Sequence, residues 1–200
     1  MTFTQMCWAV FNRAIEDYHR VDDVDLQVVN PYAEQSIEHL LYRKNMIDTV
    51  QWHLEDLIRD PDISPVVALQ IKRRIDRSNQ DRTDIVEEID SYFLQRYQGV
   101  DVLPDATINT ESPAWAIDRL SILALKIYHM REQASRADAG EEHCARQRRR
   151  LSVLLIQQQD LSTAIDQLLN DIAAGRKRMR VYRQMKLYND PTTNPVLYKK

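Results

Sequence analysis

Three of the five histidines in this 200-residue chain have a carboxylate three positions away: Glu16 with His19, His53 with Asp56, and His129 with Glu132. On a helix such pairs share one face. Carboxylate and imidazole repeated at that spacing on several helices is how bundle cores ligate paired metal ions. Only the first pair runs in the Glu-x-x-His order, and charged helical surfaces generate the same spacing as solvated faces. Glu16, His19, His53 and Asp56 are thus weak metal candidates, and the sequence alone assigns neither a metal nor a cofactor.

A second constellation lies between Asp76 and Asp84. The run DRSNQDRTD contains no aliphatic residue, although the apolar spacing of Ile71 and Ile75 resumes at Ile85, Val86, Ile89 and Phe93. Carrying the helical phase through this gap turns Ser78, Asn79 and Arg82 toward the interior. Folding the hairpin about position 63 sets Asp48 opposite Ser78 and Asn45 opposite Asp81, with Lys44 facing Arg82. By helical rise, Asn79 and Arg82 stand about 22–27 Å above residue 97, and Lys126 and His129 about 20–24 Å above residue 113. Polar groups from three helices are therefore expected at one height. Such a layer is a self-paired network that aligns the helices, a set of long cations reaching past it to solvent, or a pocket. In the pocket, Arg82 and Lys126 would hold an anion and His129 would move a proton.

Other motifs exclude more than they assign. No phosphate-binding glycine loop, Cys-x-x-Cys pair or Gly-x-Ser-x-Gly elbow occurs. Asp22-Asp23-Val24-Asp25 lacks the glycine and the closing glutamate of an EF-hand loop. Cys7 and Cys144 form no disulfide framework and read as small core residues, which suits a reducing cytoplasm.

The elements that must position these residues follow from the chain's breakers, three glycines and seven prolines. Long spans without either favour helix, because an interior Gly costs about 1 kcal/mol and an interior Pro about 3. The spacing predicts an all-α protein with helices over 3–20, 32–60, 65–97, 113–137 and 141–174, and a shorter basic one over 176–188. Ser64-Pro65 and Ser112-Pro113 are N-cap and first-turn signals. Gly99, Gly140 and Gly175 each stand just past a helix end, where a left-handed residue is needed. Ala116, Leu120, Leu123, Ile127, Met130, Ala134 and Ala137 follow a 4-3-4-3 spacing, as do Leu151, Leu154, Gln158, Leu161, Ile165, Leu168 and Ile172. These are the two arms of a coiled hairpin. The helix from 113 is apolar nearly all round and belongs at the centre. A second hairpin turns at Asp60-Pro61-Asp62, with Leu40, Ile47, Val50, Leu54 and Leu57 as the apolar stripe of its first arm. Residues 21–31 and 99–112 read as ordered loops, and the last ten residues as an extended or loose end. No sheet is expected.

At 200 residues the chain suits one domain, 1–200, with 176–200 as a basic appendage. Residues 174–200 hold eight basic residues and one acid, a charge of +7 in a chain of net charge −3, so residues 1–173 carry −10. That imbalance suits a basic tail packing on its own acidic bundle or on a sister chain. Nucleic acid is not an expected partner of an acidic chain, which steers poorly toward phosphate backbones. No segment is apolar enough to span a bilayer, and the first residues lack a basic secretory leader.

Three segments, LLYRKNMIDTVQWHLEDLIRD, KRRIDRSNQDRTDIVEEID and NTESPAWAIDRLSILALKIYHM, resemble a bacterial all-helical family of about 200 residues catalogued as a domain of unknown function. The likeness runs nearly the full chain and includes VYRQMKLYNDP. The resemblance implies a cytoplasmic bacterial protein, in a setting near surface-glycan biosynthesis, and transfers no catalytic role. It marks Asn45, Asp48, Trp52, His53, Asp56, Arg74, Asp76, Asn79, Gln80, Arg82, Asp84, Asp118, Arg119, Lys126 and His129 as members of the matching motifs. The expectation is a cytoplasmic helical bundle that binds or assembles with a protein partner or a second copy. One alternative is an enzyme or binding protein for a phosphorylated sugar or nucleotide, using Asn45, Asp48, Asn79, Arg82, Asp118, Arg119, Lys126 and His129. A further alternative is a metal-binding bundle.

Overall fold

The computed structural model describes residues 1–199; Lys200, counted above in the basic tail, lies outside them. Five long helices form an antiparallel bundle: α1 (Phe3–His19), α2 (Ile37–Leu57), α3 (Pro65–Tyr97), α4 (Pro113–Ala134) and α5 (Glu141–Ala173). A 3₁₀ turn (Leu187–Asn189) and a short α6 (Pro195–Tyr198) close the chain. Starts are chemically marked. Thr2 and Gln5 form a reciprocal capping box, and the hydroxyls of Ser36, Ser64 and Ser112 accept the first orphan backbone N–H groups of α2, α3 and α4. Pro65 and Pro113 occupy the first turn, where no N–H is missed.

α4 is the central helix and packs against α1, α2, α3 and α5. Ala116, Leu120, Leu123 and Ile127 are buried on its coiled face, and Ala114, Ile117, Ala124 and Leu125 on others. Its partner stripe on α5 is buried at Ile165, Leu168 and Ile172 and only half-buried at Leu151, Leu154, Gln158 and Leu161. The α2–α3 hairpin is the second arm pair, and α1 lies against α2.

Three expectations are corrected. Residues 176–186 are not helical; the short C-terminal helix lies further on, at Pro195–Tyr198. The backbone after α5 instead forms a parallel bridge between Thr107 and Lys177, the one extended pairing among the described residues. Thr107 N donates to Arg176 O at 3.0 Å and Arg178 N to Thr107 O at 2.9 Å. Second, α4 ends at Ala134, before Ala137, and Gly140 is the N-cap of α5 with φ −63 rather than a left-handed terminator. Only Gly175 takes that role, with φ 70. Third, Leu40, Ile47 and Val50 of α2 are half-buried and Leu57 is exposed. The buried face of α2 carries Leu41, Lys44, Asn45, Asp48 and Thr49.

Candidate functional site

The polar face of α2 meets α3 and α4 in a closed set of charges. Lys44 is fully buried; its Nζ pairs with Asp48 of α2 and lies 3.0 Å from Asp118 Oδ1 of α4. Arg82 of α3 reaches the same carboxylate in a fork: Nε donates to Asp118 Oδ1 at 2.8 Å and Nη2 to Asp118 Oδ2. Arg82 Nε is also 3.6 Å from Asp48 Oδ1. Ser121 Oγ donates to Asp48 Oδ2 at 2.6 Å and accepts from Asn45 Nδ2 at 2.9 Å. Two cations thus face two carboxylates, and the set is neutral. The two acids are not equivalent. Burial, aided by the charge on Asp118, raises the Asp48 carboxyl above its ordinary range despite Lys44. Burial also opposes ionisation of Asp118, but Lys44 and the Arg82 fork outweigh it and hold that carboxyl low. One acceptor, Asn45 Oδ1, is buried without a partner.

The expected layer is therefore real in part. Asn45, Asp48, Arg82 and Asp118 come together. Asn79 stands one step outward, its Oδ1 accepting from Gln51 Nε2 at 3.0 Å, and Ser78 Oγ donates to Gln51 Oε1 at 3.0 Å. The hairpin pivots near residue 65 rather than 63, so Asp48 meets Arg82 instead of Ser78. Arg119 and Lys126 are exposed, Arg119 pairing with Glu111 at 2.8 Å. His129 is not in the layer. The cause is the start of α4: its first turn is level with Asp90, not with residue 97. That offset of about seven residues, or about 10 Å, raises Asp118 to the level of Arg82 and carries His129 above it.

His129 enters a second cluster one layer higher. His19 at the end of α1, His53 on α2 and His129 on α4 each offer a ring nitrogen within 4.8 Å of the other two. His19 Nε2 and His53 Nε2 are 3.2 Å apart. Two of the rings are oriented from behind. His19 Nδ1 contacts the Ile15 carbonyl oxygen at 2.7 Å. Because that oxygen can only accept, Nδ1 carries a proton, and in the neutral ring Nε2 is the nitrogen with the lone pair. His129 Nδ1 meets Glu132 Oε2 at 2.8 Å, and its Nε2 is buried without a partner. The rings are wedged by aromatics: Tyr18 stacks on His53 with centroids 4.8 Å apart, and Trp52 on His129 at 5.1 Å. Burial first, then the neighbouring imidazoles, lower the His53 pKa, which favours its neutral form.

This geometry suits a transition-metal ion. Zinc–nitrogen bonds of about 2.05 Å at tetrahedral angles place ligand nitrogens about 3.3 Å apart, close to the 3.2 Å between His19 and His53. A carbonyl behind one imidazole and a carboxylate behind another is the outer support that metal-bound histidines use. Three nitrogens leave a coordination position open. The cluster borders a cavity of about 640 Å³ lined by Tyr18, Asp22, Asp23, His53, Asp56 and Arg59 among others. Asp22 Oδ1 lies 4.0 Å from His53 Nε2. Asp22 is the one non-glycine residue with positive φ, 58, among the described residues. Of the weak sequence candidates, His19 and His53 are in the cluster, Asp56 is exposed at its mouth, and Glu16 is exposed.

Sequence reasoning set Lys44 opposite Arg82, in or near the layer, without naming it a site residue, and it missed Ser121, Gln51 and Asp22. For Lys44 a signal existed: Leu41, Asn45, Asp48 and Trp52 recur at helical spacing beside the apolar stripe, so α2 has two inward faces. For Asp22, nothing local marks a loop residue that approaches a helix 31 positions on.

No curated protein and no solved structure matches the chain. One family pattern does, described as protein of unknown function DUF4254, over residues 38–181. The matched segment contains the charge quartet, His53 and His129, whereas His19 precedes it. The match covers well over half of the sequence, and the chain belongs to the DUF4254 family.

Proposed function

We propose that the protein is a metal-binding helical bundle whose centre is His19, His53 and His129. The observation that carries this reading is the convergence of three imidazole nitrogens within 4.8 Å, two of them on rings oriented through Nδ1. All-imidazole ligation favours zinc, copper, nickel or ferrous iron over magnesium or calcium. An open position beside the acid-lined cavity leaves room for a water or a small ligand on the ion. The quartet of Lys44, Asp48, Arg82 and Asp118 is read as the device that aligns α2, α3 and α4, because its charges cancel within the protein. The same reading places the chain in a reducing cytoplasm, supported by Cys7 and Cys144, both unpaired and buried. Association with a protein partner or second copy is supported by Val153 and Ile156, exposed by 63% and 61% on α5.

The test is titration of chelator-stripped protein with zinc, cobalt and nickel by calorimetry and thermal melting. The expected result is one ion per chain, a raised melting temperature, and loss of both in His53→Ala and His129→Ala. Binding with unchanged affinity in both variants would refute the centre.

A further inference from the structure

Two features that the metal centre does not use meet on the other side of α3: the aliphatic-free run 76–84 and the basic tail. The tail crosses that run as an extended strap. Gln184 N donates to Glu87 Oε1 at 3.3 Å, Lys186 Nζ to Asn79 O at 2.9 Å, and Asn189 Nδ2 to Gln80 Oε1 at 3.0 Å. Between strap and helix lies a cavity of about 640 Å³, reached by Lys72, Arg82, Lys186, Trp115 and Tyr188. The cavity is basic in a chain of net charge −3. Its cations are Lys72, Arg82 and Lys186, and its one lining acid is Asp76, which is paired with Lys72.

Arg82 is the link to the core. Nε and Nη2 are committed to Asp118, whereas Nη1 has no protein acceptor and is not among the atoms sealed from solvent. The side chain keeps 27% of its exposure. A guanidinium with one edge locked and the other free is a preorganised anion donor, since the fork costs little entropy to hold. Lys186, whose ammonium sits on the Asn79 carbonyl three residues from Arg82, and Lys72, further along α3, line the same cavity, and two aromatic side chains, Trp115 and Tyr188, complete the lining. Phosphate needs the cations; a ring attached to the phosphate needs the aromatic surfaces and the amides of Gln184 and Asn189.

We infer that this strap-covered cleft binds a phosphate ester carrying a ring, with Lys72, Lys186 and the free edge of Arg82 on the phosphate and Trp115 against the ring. The inference does not rest on the metal centre, and the melting temperature of the metal-free protein serves as the control of folding.

The experiment titrates the full chain with inorganic phosphate, glucose 1-phosphate and AMP, followed by calorimetry and tryptophan fluorescence. Saturable binding of at least one ester, tighter than inorganic phosphate, is expected. The fluorescence change should vanish in Trp115→Phe. Lys186→Gln and Lys72→Gln should each weaken binding by about tenfold or more, the size of one lost charge-assisted hydrogen bond, without altering melting. Preference for AMP assigns a nucleobase as the ring, and preference for glucose 1-phosphate assigns a sugar. The inference is overturned if neither ester binds at millimolar concentration, or if both lysine variants bind as the parent does.

Discussion

Asp90 of α3 holds the first turn of α4: its Oδ2 accepts from Ser112 Oγ at 2.7 Å and its Oδ1 from Ala114 N at 3.3 Å. The carboxylate thus sits at the positive end of α4's backbone dipole and fixes the height at which α4 begins. It does so with 1% of its surface exposed. Burial pushes the Asp90 carboxyl up to about 6, against the two hydrogen bonds, which favour its charged form.

The first prediction follows from that shift. The folded protein holds a proton on Asp90 at pH values where the unfolded chain, with a pKa of about 3.9, has released it. Stability from this group is full below about pH 4 and is lost as pH rises through about 6, in all about 3 kcal/mol. Asp90→Asn keeps an acceptor and removes the buried charge. Relative to the variant, the parent should lose stability between about pH 4 and 7, read from urea unfolding at a series of pH values. Parallel curves would show that Asp90 does not titrate in this window.

Helix number and most helix starts were legible because they depend on local chemistry, as at Ser64-Pro65 and Ser112-Pro113. The vertical alignment of helices was not. Rise arithmetic from residue 97 and residue 113 assumed a common base, and no local pattern announces that Asp90, seven residues from the end of α3, caps α4. The same blindness hid the histidine cluster. All three carboxylate–histidine pairs are visible at i,i+3, but spacing cannot say which helical faces converge. The tail misled for another reason. Residues 176–188 lack Gly and Pro, yet no apolar face recurs there to stabilise a short helix, which is marginal alone. Pairing with Thr107 satisfies the backbone instead.

The second prediction concerns Glu132, whose carboxylate holds His129 Nδ1 and whose side chain is 49% exposed. Glu132→Gln should leave the metal-free melting temperature nearly unchanged. Loss of such a partner typically weakens metal affinity about 10–100-fold. Competition with a chromogenic zinc chelator measures this directly, and unaltered affinity would remove Glu132 from the centre.

Gly175 supplies the third. It closes α5 in a Schellman arrangement, with Gly175 N donating to Ile172 O at 3.0 Å and Arg176 N to Asp171 O at 2.8 Å. An added Cβ would lie 2.3 Å from the carbonyl oxygen of Asp101. Left-handed strain alone costs about 1 kcal/mol, and backbone cannot yield as a side chain would. Gly175→Ala should therefore cost more than about 2 kcal/mol. At Gly99 nothing lies within 4 Å of where a Cβ would stand, so alanine there should be neutral or mildly stabilising in the same chemical-denaturation assay.

The last prediction addresses the quartet. Each carboxylate faces Lys44 and Arg82, but burial leaves Asp48 with a raised pKa while Asp118 is held low. Neutralising Asp48 therefore moves the group in the direction burial already favours, and an amide there still offers an oxygen to Lys44 and Ser121. Neutralising Asp118 takes one acceptor from the Arg82 fork and confronts its remaining donor with an amide N–H₂. Either change leaves Lys44 and Arg82 sharing one carboxylate, but only the change at Asp118 breaks the fork. Asp118→Asn should thus be the costlier change, toward the roughly 3–5 kcal/mol typical of a broken buried pair, and Asp48→Asn clearly less. Lys44→Met removes a fully buried ammonium and leaves two acids for Arg82 alone, so it should also approach the upper figure. The double variant Lys44→Met, Asp48→Asn restores neutrality and should recover part of the loss, a coupling that a double-mutant cycle reads as non-additivity. Strict additivity, or equal costs for the two aspartates, would mean that the four groups do not act as one neutral set. Zinc affinity should stay unchanged throughout, because no member of the quartet touches His19, His53 or His129.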